Sequence, residues 1–186
     1  MSEPTDTFQT VYIRPATPSD HDEIRRLVAD AFGSDVEAEL VERIRSSPEY
    51  EPAMELVAVA DDRHVVGHVM ISRALIRSRG GERSIAMLSP LAVAPAHQRR
   101  GAGRALVHAS TQLADQRGEP LVVLEGNPAY YSELGFVAAA DHGIRLPLPD
   151  WAPTEAAQVM LLTAYDPAEK TLRGTVEYPE AFAGLG

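Results

Sequence analysis

The sequence predicts a mixed α/β fold, an α+β mixed sheet in which antiparallel strands precede a central parallel β-α-β unit. The first observation is the stretch "MELVAVADDRHVVGHVMIS", where two apolar runs flank an Asp-Asp-Arg turn and indicate an antiparallel hairpin. The second is a pair of buried strands, predicted over 85–93 and 120–125, with an amphipathic helix over 101–117 between them. Such a helical crossover makes its two strands parallel and its connection right-handed.

The remaining elements follow from periodicity and from signals at the helix ends. "TVYIRPA" alternates as a strand does, and residues 17–32 begin with Thr and Ser caps and carry apolar residues at helical spacing. A second helix is predicted over 35–47. After the central unit, "PAYYSELGF" indicates a short helix running into a strand at Phe136, and later strands are predicted over 157–163 and 174–178.

Length and composition predict one domain over residues 1–186, with residues 1–9 flexible. The chain has 17 basic against 27 acidic residues and a formal charge of −10, which disfavours nucleic acid as a partner. It has no cysteine, so disulfides, thiolate catalysis and Cys-based metal sites are excluded. The polar start lacks the order of a signal peptide, and no apolar run approaches the ~18 residues of a membrane span. We therefore expect a cytoplasmic protein with no membrane partner.

Pro90 lies within a strand that is predicted to be central in the sheet. Proline has no backbone N–H to donate, so in sheets it is normally confined to edges and bulges. We therefore expect a bulge near Ser89 and Pro90 that spreads the two parallel strands. This bulge would leave the backbone of Leu91, Ala92 and Val93 free for a ligand, at the carboxyl end of the strand where ligands of such sheets gather.

The segment "QRRGAG" opens the central helix and carries the features of an anion site. Gly101 and Gly103 have no Cβ, so N–H groups at the helix start can approach a bulky anion, which the helix dipole also favours. Arg99 and Arg100 would add charge-assisted hydrogen bonds, and a pyrophosphate is the natural guest. A Walker loop and a dinucleotide fingerprint both fit badly. From the residues alone, an ordinary solvated loop remains the alternative.

Two motifs resemble those of the GNAT superfamily of N-acetyltransferases. "QRRGAG" matches its Q/R-x-x-G-x-G/A signature after a typical "LAVAPAHQ" run, and "YYSELGF" matches its Tyr-x-x-x-Gly-Phe element. Order and spacing agree with that fold from Val11 to about Phe136. The stretches "VVGHVMIS" and "GTVEYPEAF" resemble the bacterial YhbS-like branch. The resemblance implies the acyl-CoA N-acyltransferase (GNAT) fold, with a bulged strand in its parallel unit.

The resemblance also implies acetyl-CoA as cosubstrate, without a metal. Leu91, Ala92 and Val93 would pair by their backbone with its pantetheine arm, as an added strand would. Its pyrophosphate would be wrapped by the loop residues Gln98, Arg99, Arg100, Gly101, Ala102 and Gly103. Tyr131 would protonate the departing sulfur, because a phenol of pKa ~10 can donate to a thiolate of pKa ~8.5. Asn127 is a further cofactor candidate, although it lies closer to Tyr131 than the family's asparagine usually does.

Several other residues have both a functional and a structural interpretation. Glu125 ends a buried strand beside the predicted cleft, so it is a candidate to take the proton of the amine through a water; a structural or exposed role competes with this. Tyr130 is expected to face away from Tyr131 and to pack against the core. Glu37 and Glu39 open the second helix, where acids suit the dipole, and that region often lines the acceptor site of this fold.

The histidines and the tryptophan favour structural interpretations. His68 is expected to be a satisfied core or cleft-wall histidine rather than a general base. His64 shares its strand phase, but no carboxylate accompanies the two at ligand spacing, so no metal ligand is assigned. Trp151, the only tryptophan, lies in the Pro-rich connection and is expected to cover the core.

The sequence therefore predicts an acetyl-CoA-dependent N-acetyltransferase that transfers the acetyl group directly to a primary amine. No acyl-enzyme is expected, because cysteine is absent and no serine lies in a nucleophile motif. The alternatives are a non-catalytic acyl-CoA sensor or regulatory partner, and a structural subunit that binds no cofactor. The acceptor is expected to be a small-molecule or peptide amine. An antiparallel edge strand near the C-terminus would allow a homodimer.

Overall fold

A mixed β-sheet is the frame of the protein, and the computed structural model describes residues 10–185 of the chain. Along the main path of the sheet the strands lie in the order β1-β2-β3-β4-β5-β8-β6, while β9 pairs with β3 and with β7. The strands are β1 (Tyr12–Pro15), β2 (Glu55–Val59), β3 (Val65–Ser78), β4 (Gly81–Val93), β5 (Leu121–Glu125), β6 (Val137–Ala138), β7 (Ile144–Arg145), β8 (Ala157–Leu161) and β9 (Gly174–Glu177). The pairs β4/β5 and β7/β9 are parallel, and the others are antiparallel.

Helices cover both faces of the sheet. Those within the described residues are α1 (His21–Phe32), α2 (Val36–Arg45), α3 (Ala102–Gln116) and α4 (Pro128–Ser132). On one face, Leu106 of α3 packs in a cluster with Val69. On the other face, Ile24 of α1 packs in a cluster with Met70, whose side chain points opposite to that of Val69. Each fully buried aliphatic side chain of this kind stabilises the fold by ~1.5–3 kcal/mol.

The predicted fold class is confirmed. β2 and β3 form the antiparallel hairpin around the Asp-Asp-Arg turn, and β4, α3 and β5 form the parallel crossover. The short helix after β5 is also present as α4, although the strand that follows it begins at Val137 rather than at Phe136. Phe136 is instead buried in the cluster beneath α3.

The predicted bulge lies in β4. Val69 of β3 pairs with Leu91, and Ile71 pairs with Leu88, so Ser89 and Pro90 together face the single residue Met70. On the other side of β4, the parallel register with β5 covers only Ala86 and Met87. The two parallel strands therefore separate from the bulge onward. The backbone of residues 91–93 is paired with β3 on one side and has no strand partner on the β5 side.

A buried ionic cluster joins α2 to the sheet. Glu55 accepts hydrogen bonds from the Arg45 guanidinium, from the Tyr50 hydroxyl at 2.7 Å and from His68 Nε2 at 2.9 Å. Burial would raise the pKa of Glu55, but these hydrogen bonds, from His68 and Arg45 above all, hold it at about 2. Burial lowers the pKa of His68, which keeps the ring neutral. His68 is thus a core histidine as expected, but it is only partly satisfied: Nε2 is bonded to Glu55, whereas Nδ1 is buried without a hydrogen-bond partner among the described residues.

Two structural expectations about the C-terminal half are wrong. Trp151 is 85% exposed. Leu146 and Leu148 make the contacts between the Pro-rich connection and the core, and Trp151 lies in the turn that follows them, between Pro149 and Ala152. β9 is flanked by β3 and β7, so it is not an edge strand that another copy could extend. β9 therefore offers no free edge for a homodimer, which stays a prediction.

Two further expectations concern the ends of the chain and the membrane. The flexibility expected of residues 1–9 falls outside the described residues. Among residues 10–185, no helix combines the length and the apolar character that crossing a bilayer requires.

Candidate active site

Two cavities adjoin where β4 and β5 separate. The loop cavity, of about 580 Å³, lies between the 98–103 segment, the start of α3 and Tyr130. The bulge cavity, also of about 580 Å³, lies between the β4 bulge, the carboxyl end of β5, α2 and residues 178–185. Leu91 lines both cavities. The first residue after the bulge is therefore the place where the contents of the two cavities can meet.

The 98–103 segment presents the start of α3 to the loop cavity. Gln98 Nε2 donates to the Val93 carbonyl at 3.1 Å, which ties the segment back to β4. α3 begins at Ala102, and no side chain caps it. The first N–H groups of a helix have no partner within the helix. Unpaired donors therefore lie beside Gly101 and Gly103, both of which line the cavity.

Positive charge accompanies these donors. The side chains of Arg99 and Arg100 are exposed and form no hydrogen bond or ion pair with any other residue between 10 and 185. Arg104 also lines the cavity and lies 3.4 Å from Glu133 at its rim. Guanidinium groups bind phosphate oxygens in a bidentate manner. The Arg99 guanidinium, which has no partner among the described residues, and the helix-start amides together form a donor set in the loop cavity that suits a pyrophosphate.

The predicted cofactor residues divide between several surroundings. Those that line the loop cavity are Leu91, Val93, Gln98, Arg99, Gly101 and Gly103. Ala92 and Ala102 are buried and line neither of the two cavities. Arg100 lies on the other side of the loop, in a neighbouring depression beside Thr10 and His108. Asn127 lines the bulge cavity instead, and its Oδ1 caps α4 by accepting from the Ala129 N–H at 3.0 Å.

Tyr130 lies in the loop cavity and not in the core. Its side chain is 40% exposed, and a Cβ at Gly103 would lie 2.6 Å from its hydroxyl oxygen. The expectation that Tyr130 packs inward is therefore wrong. The reason is local, because α4 is a single turn whose two adjacent tyrosines diverge, and Tyr131 takes the inward place.

Tyr131 lies in the bulge cavity, close to the end of β5. Its ring packs edge-on to Phe136 and covers Gly126, where any Cβ would overlap the ring. Its hydroxyl has no hydrogen-bond partner among the described residues. Burial raises the pKa of Tyr131 to about 12. The phenol is thus protonated at neutral pH and free to donate a hydrogen bond into the cavity.

Glu125 lies at the exposed end of β5, also on the bulge cavity. It accepts a hydrogen bond from the hydroxyl of Tyr178. Burial, and then the bond to Glu125, raises the pKa of Tyr178 well above its ordinary value. The carboxylate is therefore held in place by a donor that stays protonated.

The two glutamates at the start of α2 have different surroundings. Glu37 lines the bulge cavity, and its Oε2 is buried without a hydrogen-bond partner among the described residues. Glu39 is exposed and does not line that cavity. Glu37 is thus brought to the site and Glu39 is not.

Residues near the C-terminus complete the bulge cavity, and the sequence did not indicate them. Tyr178, Phe182 and Leu185 all line it. β9 brings them there by pairing with β3, a contact between residues about a hundred positions apart in the chain. The only signal was the aromatic character of the "EYPEAF" stretch, which gave no location.

The described residues contain no group of three or more His, Asp or Glu side chains placed to hold a metal ion. His64 pairs with Glu23 at 3.2 Å on the surface. His68 lies in the buried cluster with Glu55 and lines neither of the two cavities.

Comparison with known proteins places this geometry in a family. Residues 12–139 match the model of the acetyltransferase (GNAT) domain. The uncharacterized N-acetyltransferase YhbS of Escherichia coli (strain K12) is 35% identical over 171 residues, which are 91% of this chain and 97% of that protein. The uncharacterized N-acetyltransferase YjhQ of the same strain is 30% identical over 159 residues, 85% of this chain and 86% of that one.

A solved structure of a relative agrees over the whole chain. The 1.55 Å crystal structure of E. coli YhbS in complex with CoA superimposes with a TM-score of 0.81 at 31% identity, covering 100% of this chain and 97% of that chain. A GNAT acetyltransferase from Brucella melitensis, crystallised with acetyl-CoA, gives a TM-score of 0.73 at 28% identity over 94% and 99% of the two chains. The chain belongs to the GNAT family of acetyltransferases.

Proposed function

We propose that this enzyme transfers the acetyl group of acetyl-CoA directly to a primary amine, with the cosubstrate in the loop cavity and the amine in the bulge cavity. The observation that carries the proposal is the pair of open cavities that adjoin at Leu91, one lined by the start of α3 and by Arg99, which has no partner among the described residues, and the other by the carboxylates of Glu37 and Glu125. CoA in the crystal structure of YhbS and acetyl-CoA in that of the Brucella protein support the choice of cosubstrate.

The loop residues fit the cosubstrate. The uncapped start of α3 and the free guanidinium of Arg99 would bind the pyrophosphate. The unpaired edge of residues 91–93 would bind the amide groups of the pantetheine arm, as a neighbouring strand would. That arm would lead the thioester from the loop to Leu91, where the amine enters from the other cavity.

The transfer breaks the bond between the acetyl carbon and sulfur and forms a bond between that carbon and the amine nitrogen. The amine loses a proton, and the thiolate gains one. Tyr131 would supply the sulfur with a hydrogen bond or a proton, because its hydroxyl is free and protonated. Glu125, through a water, would receive the proton of the amine, because Tyr178 holds its carboxylate at the cavity wall.

Direct transfer, without an acyl-enzyme, agrees with the composition of the site. The sequence contains no cysteine, and the described residues that line the bulge cavity include Ser89 but no histidine to activate it. The enzyme would act by holding thioester and amine together, which contributes several kcal/mol on its own, roughly 7–11 kcal/mol at best.

Cosubstrate binding is tested with Arg99→Glu and its matched control Arg63→Glu. Both arginines are exposed, both have positive φ (62° and 67°), and neither side chain is bonded to another described residue. Ligand at a hundred times its Kd stabilises a folded protein by roughly 2.7 kcal/mol, a shift of a few degrees in Tm. We expect acetyl-CoA to raise the Tm of the wild type and of Arg63→Glu, and to raise that of Arg99→Glu much less.

Activity is measured in the same proteins as release of free CoA thiol with a panel of amines. Turnover with any amine supports the enzyme, and a Tm shift without turnover across the panel favours the acyl-CoA sensor. No Tm shift in the wild type removes the loop cavity as the cosubstrate site and favours the subunit that binds no cofactor.

A further inference from the structure

The bulge cavity differs from the loop cavity in the sign of its charge. Its charged lining residues are Glu37 and Glu125, and no described Lys, Arg or His lines it. A cavity with two carboxylates and no cation attracts a positively charged guest. This matches an amine that arrives as an ammonium ion.

Glu37 is the carboxylate with unused bonding capacity. Glu125 already accepts from Tyr178, whereas Glu37 Oε2 is buried and has no partner among residues 10–185. A buried acceptor that is left unpaired costs ~1–3 kcal/mol, and more when it is charged. An ammonium N–H in the cavity would donate a hydrogen bond to this oxygen and remove that cost. Glu37 is therefore the carboxylate at which an ammonium group would bind most favourably.

The remaining wall is mostly apolar. α1 and α2 contribute Phe32, Val36 and Leu40, and the C-terminal segment contributes Phe182 and Leu185. Phe32 and Val36 are 45% and 43% exposed, so apolar surface faces solvent at this end of the cavity. A guest that covers such surface gains roughly 25 cal/mol for each Å² removed from water.

We infer that the acceptor is a primary amine that carries one bulky apolar group, with Glu37 binding its nitrogen and the wall of Phe32, Val36, Leu40, Phe182 and Leu185 binding the apolar group. The inference rests on the proposed function and names its substrate class. A polyamine or an aminoglycoside fits poorly, because its further charges or hydroxyl groups would lie against apolar side chains without hydrogen bonds. A free aromatic or aliphatic amine and a peptide with an apolar N-terminal residue share the required chemistry.

The test compares kcat/KM over four acceptor types in the wild type. These are an apolar free amine (2-phenylethylamine), a peptide with N-terminal Phe, the same peptide with N-terminal Asp, and polycationic amines, for which spermidine and kanamycin are assayed separately. We expect the first two to exceed the last two by about tenfold or more, the value of one or two kcal/mol of apolar burial. The first two arms separate the free amine from the peptide as the source of the acceptor.

Glu37→Gln with Glu39→Gln as its control tests the ammonium contact. Both residues lie in the first turn of α2, but only Glu37 lines the cavity. We expect Glu37→Gln to raise the KM of the preferred amine about tenfold or more, the weight of a charged hydrogen bond, and to leave the KM of acetyl-CoA unchanged. Glu39→Gln should match the wild type.

Val36→Lys tests the wall at a position that is 43% exposed, so we expect this variant to fold. It should lower kcat/KM for 2-phenylethylamine and leave the acetyl-CoA Tm shift intact. Preference for spermidine or kanamycin, or equal KM values in Glu37→Gln and Glu39→Gln, overturns the inference while the acetyltransferase stands. Absence of acetylation with every acceptor type overturns both the proposed function and the inference.

Discussion

The rings of Tyr130 and Tyr131 lie 4.9 Å apart, centroid to centroid, at 86° to each other, and each faces a different cavity. A glycine lies against each side chain, Gly103 at the Tyr130 hydroxyl and Gly126 beneath the Tyr131 ring. One short helix thus presents one phenol to the proposed cosubstrate side and another to the proposed acceptor side. This division allows the two residues to be tested separately.

Replacing Tyr131 with Phe should lower kcat by ~100-fold, the lower end of what general acid catalysis contributes. The KM of acetyl-CoA should stay within a factor of about two, because the hydroxyl assists only the departing sulfur. Steady-state release of CoA thiol measures both constants. Tyr130→Phe is the control and should keep its kcat; equal kcat in Tyr131→Phe and the wild type would remove Tyr131 from the mechanism.

The pH profile of kcat should show no loss between pH 7 and pH 10. Tyr131 acts in its protonated form, and burial raises its pKa to about 12, so the protonated phenol still predominates at pH 10. A tyrosine with the ordinary pKa of ~10 would be half ionised at pH 10. The profile is measured with saturating substrates and checked against Tm at each pH. A fall centred near pH 10 that is absent in Tyr131→Phe would contradict this prediction.

Substituting Gly126 with Ala should displace the Tyr131 ring, because an added Cβ overlaps that ring and also approaches Leu124. Forced overpacking of this kind costs ~1–3 kcal/mol. We expect kcat to fall toward that of Tyr131→Phe while acetyl-CoA still raises the Tm. Normal kcat in a folded Gly126→Ala protein would show that the position of the ring does not matter. Gly80→Ala controls for the loss of a glycine, because its φ is not positive and an added Cβ would meet other atoms only at ordinary van der Waals distances of 3.5 Å or more.

Stability should fall in acid through Glu55. Its folded pKa of about 2 lies below the ordinary 4.5, so its ionised form stabilises the fold above pH 4.5, and this contribution is lost as the pH falls from 4.5 to 2. The difference corresponds to roughly 3 kcal/mol. Urea unfolding at several pH values measures it. Glu55→Gln should be less stable than the wild type at pH 7 and should lose less stability across that window; an identical pH slope would refute the assignment.

The sequence predicted best those features that local chemistry determines. Pro90 could not donate to a ladder, so it indicated the bulge, and the two glycines of the 98–103 segment indicated the helix start that lines the loop cavity. Adjacent tyrosines on a single helical turn gave no period from which to infer their directions, and Tyr130 was misplaced. Trp151 was misplaced because apolar character alone does not tell which residue of an extended connection faces the sheet.

The apolar wall of the bulge cavity could not be predicted from local sequence, because it depends on pairing between distant strands. Phe182 and Leu185 reach it only because β9 inserts beside β3, and no pattern within either strand specifies that partner. Glu37 was a candidate on the sequence, but its unpaired oxygen depends on the packing of α2 against that segment.

The glycine at position 103 also bears on any effort to engineer this enzyme for heat resistance. A glycine inside a helix is ~0.5–1 kcal/mol less favourable than alanine, so a screen of the free protein for helix propensity would favour Gly103→Ala. The new methyl group would meet the Tyr130 hydroxyl and occupy the space beside the helix start. A selection for thermostability without acetyl-CoA would therefore favour a residue that fills part of the proposed cosubstrate site, so such selections should be run with acetyl-CoA present.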